Sequence, residues 1–120
     1  MSLVKVKPLS TTATPYKLLS AATTNSNLVQ GKQCALQSIV AYNTGTIAFL
    51  KFYNKVTAPT VGTDVPVWTV VVPASGQVSI ALPSGLGFGA GLGIGITGAV
   101  ADNDTTVVAS NQVIVNLSFV

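Results

Sequence analysis

Glycine and apolar residues alternate without exception from Gly85 to Ile96. Glycine occupies all six odd positions of this run, and an apolar residue occupies every even position. A period of two is typical of a β-strand, because successive side chains of a strand point to opposite faces of its sheet. The run therefore predicts one strand with a bare face and an apolar face. Because glycine weakens a strand interior, we expect a facing sheet or another subunit to approach the bare face closely.

A helical interpretation of the same run is less favourable. Gly87, Gly91 and Gly95 are four residues apart, a spacing that also occurs in membrane helices. However, the uncharged stretch from 86 to 100 has about fifteen residues, fewer than the roughly twenty of a membrane-spanning helix. Each glycine in a helix interior also costs roughly 1 kcal/mol relative to alanine. We therefore expect a strand and no contact with a membrane.

The low charge of the chain favours a protein that is partly covered in an assembly. Charged residues make up 8% of the 120 residues, against roughly 25% in an average soluble domain. Glutamate, arginine and histidine are absent, and 48% of the residues are apolar. Disordered chains combine low hydrophobicity with high charge, so we expect one folded domain. A monomer with a hydroxyl-rich surface is the alternative to an assembly.

The two signs of charge are separated along the sequence. All six lysines lie within the first 55 residues, and all three aspartates follow them. Such a split is typical of a molecule that docks through opposite poles or onto an acidic surface. Nucleic-acid binding is another interpretation of a basic half, but the lysines are scattered and arginine is missing. We therefore expect no nucleic-acid partner.

Residues 1–15 are predicted to form an extended arm. The segment 4–7 alternates valine and lysine like a short edge strand, Pro8 ends it, and residues 10–15 are polar and turn-prone. An arm of this kind reaches a neighbouring subunit, and a frayed terminus is the alternative. The segment lacks the long apolar stretch of a secretory signal, so we expect the chain to fold in a cytoplasm.

Residues 16–120 are predicted to form one all-β domain without a helix. Seven or eight strands separated by turns are expected over 16–24, 33–42, 47–55, 65–72, 77–82, 85–96 and, as one or two strands, 105–120. Turns are expected at 25–27, 43–45, 83–85 and 102–104. Short strands at this even spacing predict an antiparallel β-sandwich or jelly roll.

Several residues are candidates for a subunit interface. One face of the predicted strand 47–55 mixes aromatic residues with lysine, which either reaches solvent or contacts a neighbouring subunit. The single tryptophan, Trp68, either packs in the core against the glycine face or is exposed as a ligand-stacking or interface residue. The hypothetical interface consists of Lys5, Lys7, Phe49, Lys51, Tyr53, Trp68, Gly89 and Gly91.

The sequence offers little catalytic chemistry. Without histidine, the usual Ser-His-Asp and Cys-His nucleophilic systems cannot form. The segment 102–104 resembles a calcium loop, but it lacks the glycine and distal acid of that pattern, so we expect these residues to cap a turn. Cys34 is a lone cysteine among apolar neighbours, which predicts a buried thiol without an internal disulfide. We expect no enzyme activity, no metal and no cofactor.

A literal match to the dinucleotide-binding pattern G-x-G-x-x-G spans Gly93 to Gly98. In a dinucleotide site this pattern joins a strand to a helix, and an acidic residue follows about twenty residues later. Here a turn follows the pattern, and no acidic residue lies beyond Asp104. No lysine follows a glycine loop as a phosphate-binding loop requires. We therefore interpret the match as a by-product of the alternating glycines.

A resemblance to known proteins lies in the order of several short segments. These segments are Phe49-Leu50-Lys51-Phe52-Tyr53-Asn54-Lys55-Val56-Thr57-Ala58-Pro59-Thr60-Val61-Gly62-Thr63-Asp64-Val65-Pro66, then Pro73–Gly76, Leu86–Phe88, Gly91–Gly98 and Ala101–Thr106. Over roughly residues 16–120, this order resembles that of small virion proteins encoded by tailed phages and prophages. The resemblance implies a capsid decoration (cement) protein, a homotrimer on the outer capsid surface that clamps neighbouring major capsid subunits. It carries no catalytic residue over to this chain.

The expected function is therefore structural: a virion protein that oligomerises on a phage capsid and stabilises it. A tail or fibre module that binds a host-surface carbohydrate or protein through an exposed Trp68 or Tyr53 is the alternative. An enzyme that uses Asp64, Asp102 and Asp104 is a third hypothesis. In the first hypothesis, Lys5 and Lys7 attach the arm to an acidic capsid surface.

Overall fold

Eight strands form where apolar side chains alternate with polar or small ones. The computed structural model describes residues 12–120, and all regular secondary structure in this range is β. No helix capable of crossing a membrane occurs in the described range. The strands are β1 (Thr14–Leu19), β2 (Asn27–Gln30), β3 (Cys34–Asn43), β4 (Ala48–Asn54), β5 (Trp68–Val72), β6 (Gly76–Phe88), β7 (Leu92–Thr97) and β8 (Val113–Phe119).

The strands form two four-stranded antiparallel sheets that pack face to face. Sheet A has the order β1-β8-β3-β6, and sheet B has the order β2-β7-β4-β5. The ladders nest like one long hairpin, because β4 pairs with β5, β3 with β6, β2 with β7 and β1 with β8. Additional ladders join β3 to β8 and β4 to β7. This rolled-up hairpin is a jelly roll, which confirms the predicted antiparallel β-sandwich.

The core lies between the two sheets. Alternate side chains of the central strands point inward and are fully buried, among them Leu36, Ile39, Leu50, Ile94 and Val115. Full burial of one such side chain contributes about 1.5–3 kcal/mol of hydrophobic free energy. Cys34 is buried and unpaired as predicted, and burial raises the pKa of its thiol.

The alternating glycine run forms two strands rather than one. β6 ends at Phe88 in sheet A, and β7 begins at Leu92 in sheet B, so residues 89–91 carry the chain from one sheet to the other. The side chain of Asn54 holds this crossing, because its Oδ1 accepts hydrogen bonds from the backbone N–H groups of Ala90 (2.8 Å) and Gly91 (3.5 Å). The prediction of a single strand over 85–96 was therefore wrong.

A predicted turn at 83–85 is instead a bulge inside β6. The ladder with β3 passes from Ala81, opposite Ser38, to Leu86, opposite Leu36. Four residues of β6 therefore lie opposite one residue of β3, and Gly85 takes a φ of 74° in the left-handed region. β6 tolerates Pro83 because it is an edge strand.

Other boundaries also differ from the prediction. The short strand β2 was not predicted, and β1 ends at Leu19 rather than at residue 24. The segment 105–120 contains one strand, β8, in agreement with the predicted one or two. Most of the predicted arm, including Lys5 and Lys7, lies outside the described residues. Its last two residues belong to β1.

Candidate interaction surfaces

The outer face of sheet B is covered by two loops of the same chain. These are the β4–β5 loop (residues 55–67) and the β7–β8 loop (residues 98–112). A Cβ added at Gly93 would lie 2.9 Å from Pro59 Cδ, and one added at Gly95 would lie 2.7 Å from Val61 Cγ2. Among residues 12–120 no atom lies within 4 Å of a Cβ added at Gly87 or Gly89, but the bare face of the part of the run that forms β7 does receive a close layer. That layer is the β4–β5 loop, not the facing sheet or another subunit.

Lys51 is a buried cation beneath the β7–β8 loop. Its side chain is 0% exposed, and its Nζ donates a hydrogen bond to the carbonyl oxygen of Ala101 at 2.5 Å. Burial lowers the pKa of the Lys51 ammonium, and the carboxylates of Asp104 and Asp102 partly oppose this shift. The interface role expected for Lys51 was therefore wrong, since its own loop excludes both solvent and a second subunit.

Tyr53 is buried on the same face of β4. Its side chain is 1% exposed, and Cε1 of its ring lies 3.4 Å from the position of a Cβ added at Gly95. Its hydroxyl has no hydrogen-bond partner within residues 12–120. Burial raises the pKa of this hydroxyl, and the negative charges of Asp64 and Asp102 add to the shift. A direct interface contact through Tyr53 was therefore also a wrong prediction.

Asp64 closes the β4–β5 loop. Its Oδ2 lies 2.6 Å from Lys55 Nζ and accepts a hydrogen bond of 2.7 Å from the backbone N–H of Thr60. The hydrogen bond from Lys55 lowers the pKa of Asp64, and the one from Thr60 adds to this effect. The Ser26 hydroxyl donates to the carbonyl oxygen of Pro59 and ties the loop to the segment before β2. The Asp64 carboxylate therefore stabilises the β4–β5 loop.

Asp104 caps the turn of the β7–β8 loop, as predicted. Its carboxylate accepts hydrogen bonds from the backbone N–H groups of Ala99 (3.2 Å) and Thr106 (3.1 Å) and from the Thr106 hydroxyl (2.8 Å). Desolvation raises the pKa of Asp104, but these hydrogen bonds outweigh it and lower the pKa overall. Within residues 12–120, no three His, Cys, Asp or Glu side chains group closely enough to hold a metal ion.

The two interface glycines have opposite environments. Gly91 is buried, and a Cβ added there would collide with the carbonyl oxygens of Lys55 and Gln30. Its expected role in a subunit contact was therefore wrong, since its own backbone neighbours fill the space. Gly89 is exposed, and nothing lies within 4 Å of an added Cβ.

Trp68 packs against the core, although not against the glycine face as expected. Its ring centroid lies 5.6 Å from that of Phe52, and the side chain is half-buried. The expected packing against the glycine face was wrong, because those glycines face outward from sheet B. Phe49, by contrast, is half-buried on the outer face of β4, opposite the exposed Val71. Phe49 therefore retains accessible apolar surface.

The outer face of sheet A lacks such covering loops among the described residues. Its outward side chains form three rows that cross all four strands. We call this surface the open face; its rows are Leu19–Ile114–Tyr42–Gln77, Lys17–Asn116–Val40–Ser79 and Pro15–Ser118–Ser38–Ala81. Lys17 is its only charged residue. The open face is therefore a nearly neutral surface of small polar and apolar side chains.

The first row of the open face is its most apolar part. Leu19 is 50% exposed and Tyr42 is 43% exposed, and Ile114 lies between them in the sheet. In the third row, Ser38 Oγ and Ser118 Oγ are 2.5 Å apart and hydrogen-bonded across two strands. The sequence did not predict this surface. The sequence indicates only which side chains of each predicted strand point outward. These side chains form one surface only when the order of the strands in the sheet is known.

No protein-family model matches the chain, and neither does any curated protein or solved structure. The jelly roll serves proteins with unrelated functions, so the fold does not assign one.

Proposed function

We propose that the chain is a structural virion protein of a tailed phage, a decoration protein that docks its open face on the major capsid protein. It assembles with its capsid in the host cytoplasm and lies on the outer capsid surface. The observation that carries this proposal is the single charge among the three rows of the open face. Sheet B, whose outer face the chain covers by itself, then points away from the capsid.

The chemistry of the open face suits a protein partner. The centres of protein interfaces are depleted of charged residues and enriched in aromatic ones. Tyr42 lies in the apolar row beside Ile114, and an exposed tyrosine of this kind is a frequent interface hot spot. A sheet also presents its side chains without the entropy cost of ordering a loop.

Oligomerisation strengthens such a contact. The resemblance to phage decoration proteins implies a homotrimer, and each protomer of a trimer presents its own open face. Binding of one face raises the effective concentration of the others near the capsid, so weak contacts combine into tight binding. In this proposal Lys5 and Lys7 add an electrostatic contact with acidic capsid surface.

Co-sedimentation with capsids that lack the protein tests the docking surface. Tyr42→Lys places a charge in the apolar row, and we expect it to weaken capsid binding by about tenfold or more. Val67→Lys is the matched control, because Val67 is also an exposed apolar residue but is the last residue of the β4–β5 loop, which lies on sheet B. Equal binding by both variants would exclude the open face as the docking surface. Labelling of intact particles in electron micrographs tests the position on the capsid.

A tail or fibre module that binds a host carbohydrate is the second candidate, and the exposed ring of Tyr42 favours it. Sugar rings stack on exposed aromatic side chains, and Tyr42 offers such a ring on the open face. The burial of Tyr53 and the packing of Trp68 remove the residues first expected for this role. Glycan-array binding that Tyr42→Ala abolishes without unfolding the protein would favour this candidate over a decoration protein.

A further inference from the structure

The free edge of β6 differs from the three other free edges of the sandwich. Sheet A ends in β1 and β6, and sheet B ends in β2 and β5. Edge strands are usually protected from pairing with other chains by proline, lysine, bulges or short length. β1 contains Pro15 and Lys17, β2 has four residues and a register shift, and β5 has five residues between Pro66 and Pro73.

Residues 76–82 of β6 have none of these protections. They contain no charged residue and no proline, and their ladder with β3 is regular from Gly76 to Ala81. On the core side of this segment, Val78, Ile80 and Leu82 are only half-buried, although they pack against the core. The segment is therefore a regular, uncharged strand whose core-facing apolar side chains are incompletely covered.

The hydrogen-bond direction along β3 fixes which groups of β6 are free. The backbone N–H of Thr44 donates to the carbonyl oxygen of Gln112, which is the next pair after the β3–β8 ladder. Because hydrogen bonds alternate between the two neighbours of a strand, the even-numbered residues of β3 from 38 onward bond to β8. Odd-numbered residues of β3 therefore bond to Gly76, Val78 and Ile80 of β6. The N–H and C=O groups of Gln77, Ser79 and Ala81 consequently point to the free edge.

We propose that residues 76–82 of β6 pair antiparallel with the same residues of a second copy, around a two-fold axis at Ser79. In this register Ser79 lies opposite Ser79 of the other copy, and Gln77 lies opposite Ala81. These three pairs all join free-edge groups, and each pair exchanges two main-chain hydrogen bonds. We call this pair of β6 strands from two copies the seam. It uses every main-chain donor and acceptor that points to the free edge before the bulge.

The side-chain pattern agrees with this register. Residues that lie opposite each other in two paired strands must point to the same face of the sheet. Even-numbered residues of one copy must therefore lie opposite even-numbered residues of the other, and odd-numbered ones opposite odd-numbered ones. The proposed pairing satisfies this requirement, and it places Val78 opposite Ile80 of the second copy on the core side. The cores of the two sandwiches then become continuous at the point where both are incompletely covered.

A second copy suits this edge better than an unrelated strand. The segment carries no charge, so two copies meet without repulsion, and the two open faces join into one continuous neutral surface. Antiparallel pairing of identical strands has two-fold symmetry and closes after two copies. It is therefore a contact separate from the three-fold contact of a trimer. A seam of one strand pair is smaller than a standard interface, so we expect a concentration-dependent dimer.

Disulfide trapping tests the seam directly. Cα atoms of a hydrogen-bonded antiparallel pair are about 5.5 Å apart, within the distance of about 4.4–6.8 Å that a disulfide spans. Under mild oxidation we expect Ser79→Cys to form a covalent dimer at least about tenfold faster than Leu19→Cys, which exposes a thiol on the opposite edge of the same sheet. The native Cys34 is buried, so disulfide formation by the wild type measures the background rate of cross-linking. Equal rates for the two variants would overturn the proposal.

Light scattering over a dilution series provides the second measurement. We expect the mass of the wild type to rise with concentration to at least twice that of the species present at the highest dilution, which is 12.2 kDa for a monomer. Ser79→Lys should keep the mass of that smallest species because two lysines meet on the axis, whereas Leu19→Lys should behave like the wild type. A wild-type mass that does not rise up to about 1 mM, or a rise that Ser79→Lys leaves unchanged, would contradict the seam. Neither measurement involves capsids, so failure of the seam is distinct from failure of the proposed docking.

Discussion

Lys51 Nζ donates a hydrogen bond of 2.5 Å to the carbonyl oxygen of Ala101, which is 50 residues further along the chain. Burial lowers the pKa of this ammonium and the carboxylates of Asp104 and Asp102 partly oppose that shift, so the loop that resembles a calcium site lies over a cation supplied by the chain itself. A charge on a strand therefore holds a loop in place rather than meeting solvent.

Replacing this cation should loosen the β7–β8 loop without unfolding the sandwich. Lys51→Met keeps most of the buried volume but removes the donor to Ala101, whose carbonyl then loses its partner. We expect the free energy of unfolding to change by less than about 2 kcal/mol, because the cost of burying the charge disappears together with the hydrogen bond. Hydrogen exchange at the amides of Ala99 and Thr106 should accelerate. Unchanged exchange there would show that Lys51 does not hold the loop.

Gly91 and Gly87 form a matched pair for the role of the glycines. Gly91→Ala places a Cβ against backbone oxygens of Lys55 and Gln30, which cannot move away as a side chain does. We expect it to lower the free energy of unfolding by about 1–3 kcal/mol, and Gly91→Val to lower it further. Gly87→Ala meets nothing within 4 Å, so urea titration should show a stability equal to or above that of the wild type. Equal losses for both alanine variants would refute the explanation by close approach.

Removing the Tyr53 hydroxyl should not destabilise the protein. This hydroxyl is buried and has no hydrogen-bond partner among residues 12–120, so folding removes it from water without compensation from these residues. We expect Tyr53→Phe to leave the free energy of unfolding unchanged or to raise it by up to about 1 kcal/mol. Tyr42→Phe, at an exposed tyrosine, provides the control. A loss of more than about 1 kcal/mol in Tyr53→Phe would mean that the hydroxyl has a partner in solution.

The lowered pKa values of two loop aspartates predict how the stability of the fold depends on pH. Hydrogen bonds from Lys55 and Thr60 lower the pKa of Asp64, and those from Thr106 and Ala99 outweigh desolvation to lower that of Asp104. A carboxyl with a lower pKa in the folded state stabilises folding fully above its unfolded pKa of about 3.9. This contribution is lost as the pH falls through the folded-state pKa. We expect a constant melting temperature between pH 7 and 5 and a decrease below about pH 4.

Amide substitutions assign this acid effect to individual residues. Asp64→Asn and Asp104→Asn should each lower the melting temperature at pH 7 and reduce its further decrease in acid. Asp102→Asn is the control, because Asp102 is exposed and makes no side-chain hydrogen bond within the described loop. An acid decrease that none of the three variants alters would assign the effect to other groups.

Deletion of residues 1–11 tests the N-terminal arm and leaves β1 intact. If Lys5 and Lys7 contact acidic capsid surface, the deletion should weaken capsid binding and make the remaining binding less sensitive to salt. Lys32→Gln, which removes an exposed lysine between β2 and β3, away from the open face, is a control for the general loss of positive charge. Capsid binding and salt dependence equal to those of the full chain would exclude a role for the arm.

The fold was largely predictable because period-two alternation and turn residues are local signals. They predicted an antiparallel sandwich of seven or eight strands, and residues 12–120 contain eight. The division of the glycine run at residues 89–91 was not predictable, because the alternation has the same period on both sides of the crossing between the sheets. The bulge at 82–85 was mistaken for a turn, because proline and glycine serve both structures.

The candidate surfaces were less predictable because burial on an outer face depends on distant loops. A lysine and a tyrosine on the outward side of β4 have the pattern of an exposed face. They are buried only because the loops at 55–67 and 98–112 fold over them. The neutral rows of sheet A likewise combine residues from four strands that are far apart in sequence. The sequence shows which side of each strand is polar, but not which sides lie next to each other.

Thr14 lies opposite Phe119 in the outermost ladder of the nested hairpin, so both ends of the described chain leave the same side of sheet A. Cα atoms paired in this way are about 5 Å apart, and a few glycine and serine residues can join them. New ends can then open at the exposed turn Ala74–Ser75 between β5 and β6. A circular permutant of residues 12–120 made in this way keeps every strand pair and presents fused peptides from the opposite side of the sandwich.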